Sequence, residues 1–446
     1  MTPSLDSLRI CFEGAIPSAI ATCGANGTPN VAWLSQIQYV DARHLALSFQ
    51  FFSKTRHNIL ANPLAELMVI HPITAVSYRI LVRYQHTQTE GPLFEHMKAR
   101  LAGVASHAGM ESVFQLQGAD LYEVLAIEAL PGTAVEDRPP RPSPLPALRE
   151  AGLRIAASRD LPQLVDTTLQ LLREQFHCDH AMVLMLDEGR QRLYALASHG
   201  YQRPSAGFEV AVGEGIIGVA ARERIPIRIC FLAPEYSYVQ AVKSAALASG
   251  LEPTLETEIP FPGLDQPRSQ LALPILSGDR LYGVIYLESP EELRFEYDDE
   301  DVLMVLTSLL GASLSGLAPE NDETPLPSAA PPQPRGAPVT VRHFRFDHSL
   351  FLDEDYVIKG LAGAILQRLV AIYLETGRTE FSNRELRLDG SLRLPEIGDN
   401  LEARLLLLQR RLAERQACIQ MEKTGRGRFR LLITRPLQLE QVERPR

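Results

Sequence analysis

Cysteine and aromatic residues are both scarce in this chain of 446 residues; aromatics make up only 7%. The five cysteines, Cys11, Cys23, Cys178, Cys230 and Cys418, lie far apart, and no two form a Cys-x-x-Cys pair. An odd, dispersed set argues against a disulfide framework and a thiolate metal cage, so buried, reduced thiols are expected. The single tryptophan, Trp33, stands in a predicted strand, where a core position is expected. No apolar stretch reaches the roughly 18–20 uncharged residues of a membrane span. The opening MTPSLDSLRICFEG lacks the basic-then-apolar layout of a secretion signal, because Asp6, Arg9 and Glu13 interrupt it. A cytoplasmic location without a membrane partner is the expectation. Also missing is a nucleophile with its base or a metal triad, so no catalytic residue and no metal site are assigned.

What is present is the composition of a folded protein, with 45% hydrophobic and 22% charged residues. The length exceeds one ordinary core and implies two or three domains. Two proline-rich stretches, LPGTAVEDRPPRPSPLPAL (130–148) and APENDETPLPSAAPPQPRGAP (318–338), read as extended linkers. They divide the chain into domains at 1–130, 149–317 and 340–436, with linkers at 131–148 and 318–339. The net charge of −10 is uneven. Residues 341–446 hold 19 Lys and Arg against 15 Asp and Glu, leaving 25 against 39 elsewhere. A mildly basic tail on an acidic body raises nucleic acid as a partner.

In the first block SAIATC, NVAWLSQIQYV and HLALSFQ read as strands, and Asn26-Gly27 supplies the positive φ of a tight hairpin. The strand pattern stops at Ser53-Lys54-Thr55-Arg56, and the short helix HNILANP follows. Short strands with few helices imply a small β-barrel. The run S-K-T-R-H-N-I-x-x-N-P, set after these strands, resembles the FMN-binding split barrel of the pyridoxamine-phosphate-oxidase-like superfamily, over residues 10–130. The resemblance implies that Ser53, Lys54 and Thr55 bind the FMN phosphate, with Ser35, Gln36 and Gln50 near the flavin ring. It also implies a homodimer. Lysine and hydroxyl groups at a helix N-terminus suit a dianion. FQLQGADLYEVLAIEALPG holds nothing like the Arg-x-His substrate clamp of the oxidases, so true pyridoxamine-phosphate oxidase activity is not expected.

The second block opens with a helix pattern, RDLPQLVDTTLQLLREQF, whose apolar residues share one face and whose Asp160 and Gln163 suit an N-terminal cap. G-E-G-I-I-G-x-A-A (213–221), L-P-I-L-x-G-x-x-x-x-G-V-I (273–285) and F-E-Y-D-D-E-D resemble a GAF domain across 149–317. That implies an α/β sandwich taking a small molecule of unknown identity. The long excursion before the second hairpin is rich in Glu, which disfavours an anionic ligand there.

The third block reads as a helix near 357–376, a second capped by Ser382 and Glu385, a third at DNLEARLLLLQRRLAER, then the basic hairpin CIQMEKTGRGRFRLLITRP. This order resembles the winged-helix effector domain of response regulators, over 345–435. The resemblance implies that Arg404, Arg410 and Arg411 face DNA while Arg426 and Arg428 reach phosphate from the wing. Leu406 and Leu407 depart from the pattern, since leucine cannot hydrogen-bond a base edge or a phosphate. They suggest that this helix face packs on protein. The fold class expected is thus multidomain α+β: split β-barrel, GAF sandwich and winged helix. Three functions stay open. One is a signal-responsive regulator with a DNA-binding, transcriptional output. The second is an FMN-dependent oxidoreductase with regulatory GAF and protein-interaction winged-helix domains, and the third is an oligomerisation scaffold.

Overall fold

The computed structural model describes residues 3–34, 36–49, 54–108, 116–139, 141–231, 259–317, 334–392 and 401–442. The chain divides into two compact units, one of residues 1–152, 211–244 and 264–308, the other of 153–210, 245–263 and 309–446.

The first unit begins with a 3₁₀ helix (Asp6–Phe12), β1 (Ser18–Cys23), β2 (Pro29–Leu34), β3 (Ile37–Asp41) and β4 (His44–Phe49). There follow α1 (Lys54–Ala61), β5 (Leu64–Ile70), β6 (Ser77–Gln88), α2 (Pro92–Ala108) and β7 (Gly118–Ala129). All seven strands form one sheet, ordered β2-β1-β5-β6-β7-β4-β3. The β1–β2 hairpin turns where Asn26-Gly27 places it: Gly27 has φ +79°, and the Thr28 N–H donates to Asn26 Oδ1 at 3.1 Å. Inward side chains such as Leu8, Phe12, Ile20, Leu45, Leu67 and Ile80 make the barrel core. Each contributes on the order of 1.5–3 kcal/mol by burial.

Two expectations need correction here. NVAWLSQIQYV is not one strand: β2 ends at Leu34, β3 begins at Ile37, and the two lie at opposite edges of the sheet. Nor is Trp33 in the core: it is 76% exposed. Alternation along β2 sends Ala32 and Leu34 inward and Val31 and Trp33 outward. In register, Trp33 pairs with Ala19 and Ala19 with Met68, so the outer face carries a row of apolar groups.

The first proline-rich stretch is only partly extended. Helix α3 (Leu145–Ala156) begins inside it, and Arg141 donates to Asp299 at 2.9 Å and to the Arg294 carbonyl at 3.0 Å. In chain order come α4 (Leu161–Glu174), β8 (His180–Asp187), β9 (Arg192–His199), β10 (Glu209–Ala211), α5 (Gly215–Glu223) and β11 (Ile227–Ile229). The glycine run between β10 and α5 has a backbone reason. Gly213 sits at φ +94°, and a Cβ at Gly218 would lie 2.2 Å from the Ala211 carbonyl oxygen. In the first unit α5 packs on α2, and β11 pairs with the hairpin of β12 (Ser269–Ser277) and β13 (Arg280–Ser289). Helix α6 (Tyr297–Gly316) starts with Asp298, Asp299 and Glu300 in its first turn, where acidic groups suit the helix dipole.

In the second unit Asp160 caps α4 by accepting from the Gln163 N–H at 3.0 Å, as its spacing predicts. The C-terminal part adds β14 (Val339–Phe344), β15 (Leu350–Leu352), β16 (Asp355–Ile358), α7 (Gly360–Thr376), β17 (Glu380–Ser382), α8 (Asn383–Leu388) and α9 (Leu401–Glu414). It ends with β18 (Ile419–Gly425), β19 (Arg428–Ile433) and β20 (Leu437–Val442). A four-stranded sheet ordered β16-β15-β14-β20 and a three-stranded sheet ordered β17-β19-β18 flank the helices. The four-stranded sheet is absent from the sequence reading; its strands are three to six residues long and too short to show a clear period. The Ser382–Glu385 capping box forms in full.

Candidate functional site

The strand-end knot of the barrel separates into residues with different fates. Ser35, Gln50 and Ser53 lie outside the described residues. Lys54 opens α1 and is exposed to solvent. Next to it the Thr55 hydroxyl accepts from Asn30 Nδ2 at 2.9 Å, which ties the helix start to β2 and still leaves the hydroxyl its own proton to donate. Gln36, in the β2–β3 connection, has both amide atoms buried with no hydrogen-bond partner, and the Ser48 hydroxyl on β4 is in the same state. Buried polar atoms of this kind carry a desolvation cost until something bonds them.

Arg56 turns the other way. It donates to Asp120 on β7 at 2.5 Å and to Thr87 on β6 at 2.7 Å, and its guanidinium lies 4.5 Å from the Phe49 ring centre. Asp120 also accepts from the Thr87 hydroxyl at 2.6 Å, and Tyr84 bonds that hydroxyl at 2.8 Å. This network, which sequence reasoning missed, clamps α1 to the far strands.

A second polar cluster of the first unit joins the barrel to the α6 start. Glu13 lies 2.9 Å from both Arg100 and Arg228, and Arg228 also reaches Glu300 at 2.6 Å. Arg228 stacks over Tyr297 at 4.2 Å. Burial works to raise the Glu13 carboxyl, but Arg228 and Arg100 outweigh it and hold it below the ordinary carboxylate range. Cys230 donates to the Phe295 carbonyl at 2.9 Å and, buried beside Glu13, has its thiol pushed up, so it is an inert thiol. All five cysteines are free.

Within the β12–β13 hairpin a buried acceptor stands among apolar residues. Glu288, 1% exposed, accepts from Tyr286 at 2.6 Å, the Leu264 N–H at 2.9 Å and Gln270 Nε2 at 3.2 Å. Gln270 Oε1 is buried with no partner. Buried acceptors of this kind suit a partner that brings N–H or O–H donors. Residues 232–258, in the Glu-rich stretch before this hairpin, lie outside the described residues. Among the described residues no group of three or more His, Cys, Asp and Glu converges as a metal site, and no helix is long and apolar enough to cross a membrane.

The arginines expected to face DNA are differently disposed. Arg404 is 7% exposed, 2.6 Å from Asp187 of β8 and 4.0 Å from the ring centre of Tyr194 on β9. Burial opposes its charge, but Tyr194 and Asp187 raise its pKa further above the ordinary range. Arg411, 3% exposed, donates to the Val357 carbonyl at 2.8 Å, and burial together with Arg415 pushes it down to about 10. Both readings are corrected for this arrangement: neither guanidinium is presented to a nucleic acid. Arg410 pairs with Asp166 of α4 at 2.6 Å. Leu406 and Leu407 are buried, and α9 packs on β9, α4 and α7, so the leucine face does meet protein. At the hairpin tip Arg426 is exposed and Arg428 half-buried, while Lys423 reaches Asp160 at 3.0 Å.

Two family models match the chain. One, described as pyridoxamine 5'-phosphate oxidase, covers residues 6–131, and one described as GAF domain covers residues 160–314. No curated protein matches. Among solved structures, an FMN-binding protein from Syntrophomonas wolfei subsp. wolfei is 18% identical with a TM-score of 0.24, over 28% of this chain and 84% of that one. The GAF domain of an Acinetobacter phosphoenolpyruvate-protein phosphotransferase is 21% identical with a TM-score of 0.30, over 38% of this chain and 92% of that one. A free methionine-R-sulfoxide reductase from Neisseria meningitidis is 16% identical with a TM-score of 0.30, over 41% of this chain and 95% of that one. The chain therefore carries an N-terminal domain of the pyridoxamine 5'-phosphate oxidase type and a middle GAF domain.

Proposed function

We propose that the chain is a cytoplasmic, ligand-responsive regulator. In this reading the barrel holds FMN, the GAF domain takes a donor-bearing small molecule at Gln270 and Glu288, and residues 340–436 act as a winged-helix, DNA-directed output. The observation that carries it is the position of α9. Its Arg404 is committed to Asp187 and Tyr194 of the strands that the GAF model covers. A helix held in this way transmits the state of the domain that holds it. The order β17, α8, α9, β18, β19 with a basic hairpin tip supports a winged helix, and Arg426 with Arg428 would touch backbone phosphate once α9 is freed. The test is retention of a mixed-sequence DNA duplex at low salt. Asp187→Asn should raise it roughly tenfold over the parent protein, with a salt slope that falls when Arg426 and Arg428 become alanine. If Asp187→Asn and the parent are equally silent, the DNA output is wrong.

The barrel residues fit FMN. Lys54 and Thr55 at the start of α1 would meet the phosphate, together with Ser53. The unpartnered amide of Gln36 would satisfy a polar edge of the ring, with Ser35 and Gln50 beside it. When bound, the flavin supplies a hydride acceptor; the chain's own residues bind and orient it. The exposed row of Val31, Trp33 and Met68 supports a homodimer across the β2 side of the sheet. A second reading, an FMN-dependent oxidoreductase with a protein-docking C-terminal domain, is favoured by the buried Leu406 and Leu407. Steady turnover of a reduced nicotinamide would select it.

A further inference from the structure

The second unit contains a cavity of about 960 Å³ at the N-terminal end of α7, away from the residues assigned above. Helix α7 is 17 residues long; the Lys359 side chain, at the N-cap, makes no capping hydrogen bond, and the Gly360 N–H donates to the Asp347 carbonyl at 2.9 Å. A helix of this length presents roughly half a positive charge at that end. Arg345 and Arg190 line the same cavity, Arg190 already paired with Glu209 at 2.8 Å. The one carboxylate in the lining, Asp347, is occupied by the Ser349 N–H at 2.9 Å and the Ser349 hydroxyl at 2.5 Å.

An independent observation comes from His343, on β14. It lines the cavity, is only 4% exposed, and its Nδ1 is buried with no hydrogen-bond partner. Its Nε2 lies 3.3 Å from Nδ1 of His348, and the two rings stack. Burial, His348 and Arg345 push His343 down to about 4, so it is neutral near pH 7. A neutral imidazole carries one proton. When His348 donates across the 3.3 Å contact, the His343 proton sits on Nδ1, a buried donor with nothing to accept it. A phosphate oxygen is the acceptor that such a site lacks, beside a helix N-terminus and a guanidinium. Phe346, 58% exposed, offers a ring face on the same lining, and the volume matches that of ligand pockets for molecules of nucleotide size.

We propose that this cavity binds a phosphomonoester of nucleotide size. Its phosphate sits at the first turn of α7 between Arg345 and His343, and its ring lies against Phe346. The test is calorimetric titration of the full chain with inorganic phosphate, adenosine and adenosine 5'-monophosphate. The monophosphate should bind saturably and at least about tenfold more tightly than either of its parts. Arg345→Gln should weaken the monophosphate about tenfold, and its circular dichroism spectrum should match that of the parent protein. Phe346→Ala should bring the monophosphate down to the affinity of inorganic phosphate and leave phosphate itself unchanged. Lys54→Ala, which would disable the barrel site, should change none of these. The proposal is overturned by an absence of saturable binding, by a monophosphate no tighter than phosphate, by an undiminished Arg345→Gln, or by a loss seen in Lys54→Ala instead.

Discussion

The barrel's strand-end knot and the helix α9 both gather cations within a few residues, and both look like places for an anion. They differ in how many of those cations remain at the surface. In the knot Lys54 stays exposed while Arg56, two residues on, is drawn to Asp120, 64 residues away in sequence. Along α9 Arg404 and Arg411 are both taken inward and Arg410 is held at the rim by Asp166, 244 residues away. The difference is one of helix phase and of carboxylates that the fold supplies. Where the helix turns a guanidinium toward a distant Asp, the arginine becomes structural. Where no such group lies within reach among the described residues, as at Lys54, the cation stays at the surface.

Breaking the internal side of that comparison should give the largest effects. Arg56→Ala leaves the buried carboxylate of Asp120 without its cation and should cost on the order of 3–5 kcal/mol in chemical unfolding, while Arg404→Ala, whose partner Asp187 is only partly buried and keeps the Arg190 N–H, should cost less. A cost under about 1 kcal/mol for Arg56→Ala would mean that its pair is not buried in solution. The Glu13 cluster sharpens the point through pH. Glu13 titrates lower in the folded chain than in the unfolded one, so its stabilisation is complete above about pH 4.3 and is lost as pH falls through the lower, folded value. The melting temperature of the parent should therefore fall steeply on acidification below that point. Glu13→Gln should be destabilised at neutral pH and show a flatter acid limb. Equal acid limbs would remove Glu13 from the account.

On the exposed side the effects should appear in binding. Lys54→Ala should leave unfolding unchanged and weaken FMN about tenfold, read from flavin fluorescence quenching. An unaltered titration would return Lys54 to the solvated surface. Trp33→Ser should shift the chain toward monomer in sedimentation, because it removes the largest apolar group of the outer row. The smallest effect is expected for Arg410→Ala: Asp166 is 68% exposed, and such pairs contribute under about 1 kcal/mol.

Much of the local structure could be read from the chain. The Asn26-Gly27 hairpin, the Asp160 and Ser382 caps and the glycine turn at 213–218 depend on contacts within a few residues, and their chemistry survives translation into sequence pattern. The pyridoxamine 5'-phosphate oxidase type domain and the GAF domain were recognisable for the same reason, since their motifs are short and local. Trp33 was misread because alternation along a strand names two faces without saying which is inner. That choice depended on β2 becoming an edge of the sheet. NVAWLSQIQYV divides into β2 and β3 for a related reason, since the two strands take opposite edges of the sheet.

By itself the sequence determined the caps and tight turns, and the short motifs by which a pyridoxamine 5'-phosphate oxidase type domain and a GAF domain are recognised ahead of a mildly basic tail. Only the tertiary structure decided which arginines are structural, that His343 lacks a partner for Nδ1, and that Leu406 and Leu407 are covered. The physical reason is distance along the chain. Caps and turns are closed by neighbours within four residues, whereas the fate of a guanidinium or an imidazole rests on groups brought to it by folding from tens or hundreds of residues away.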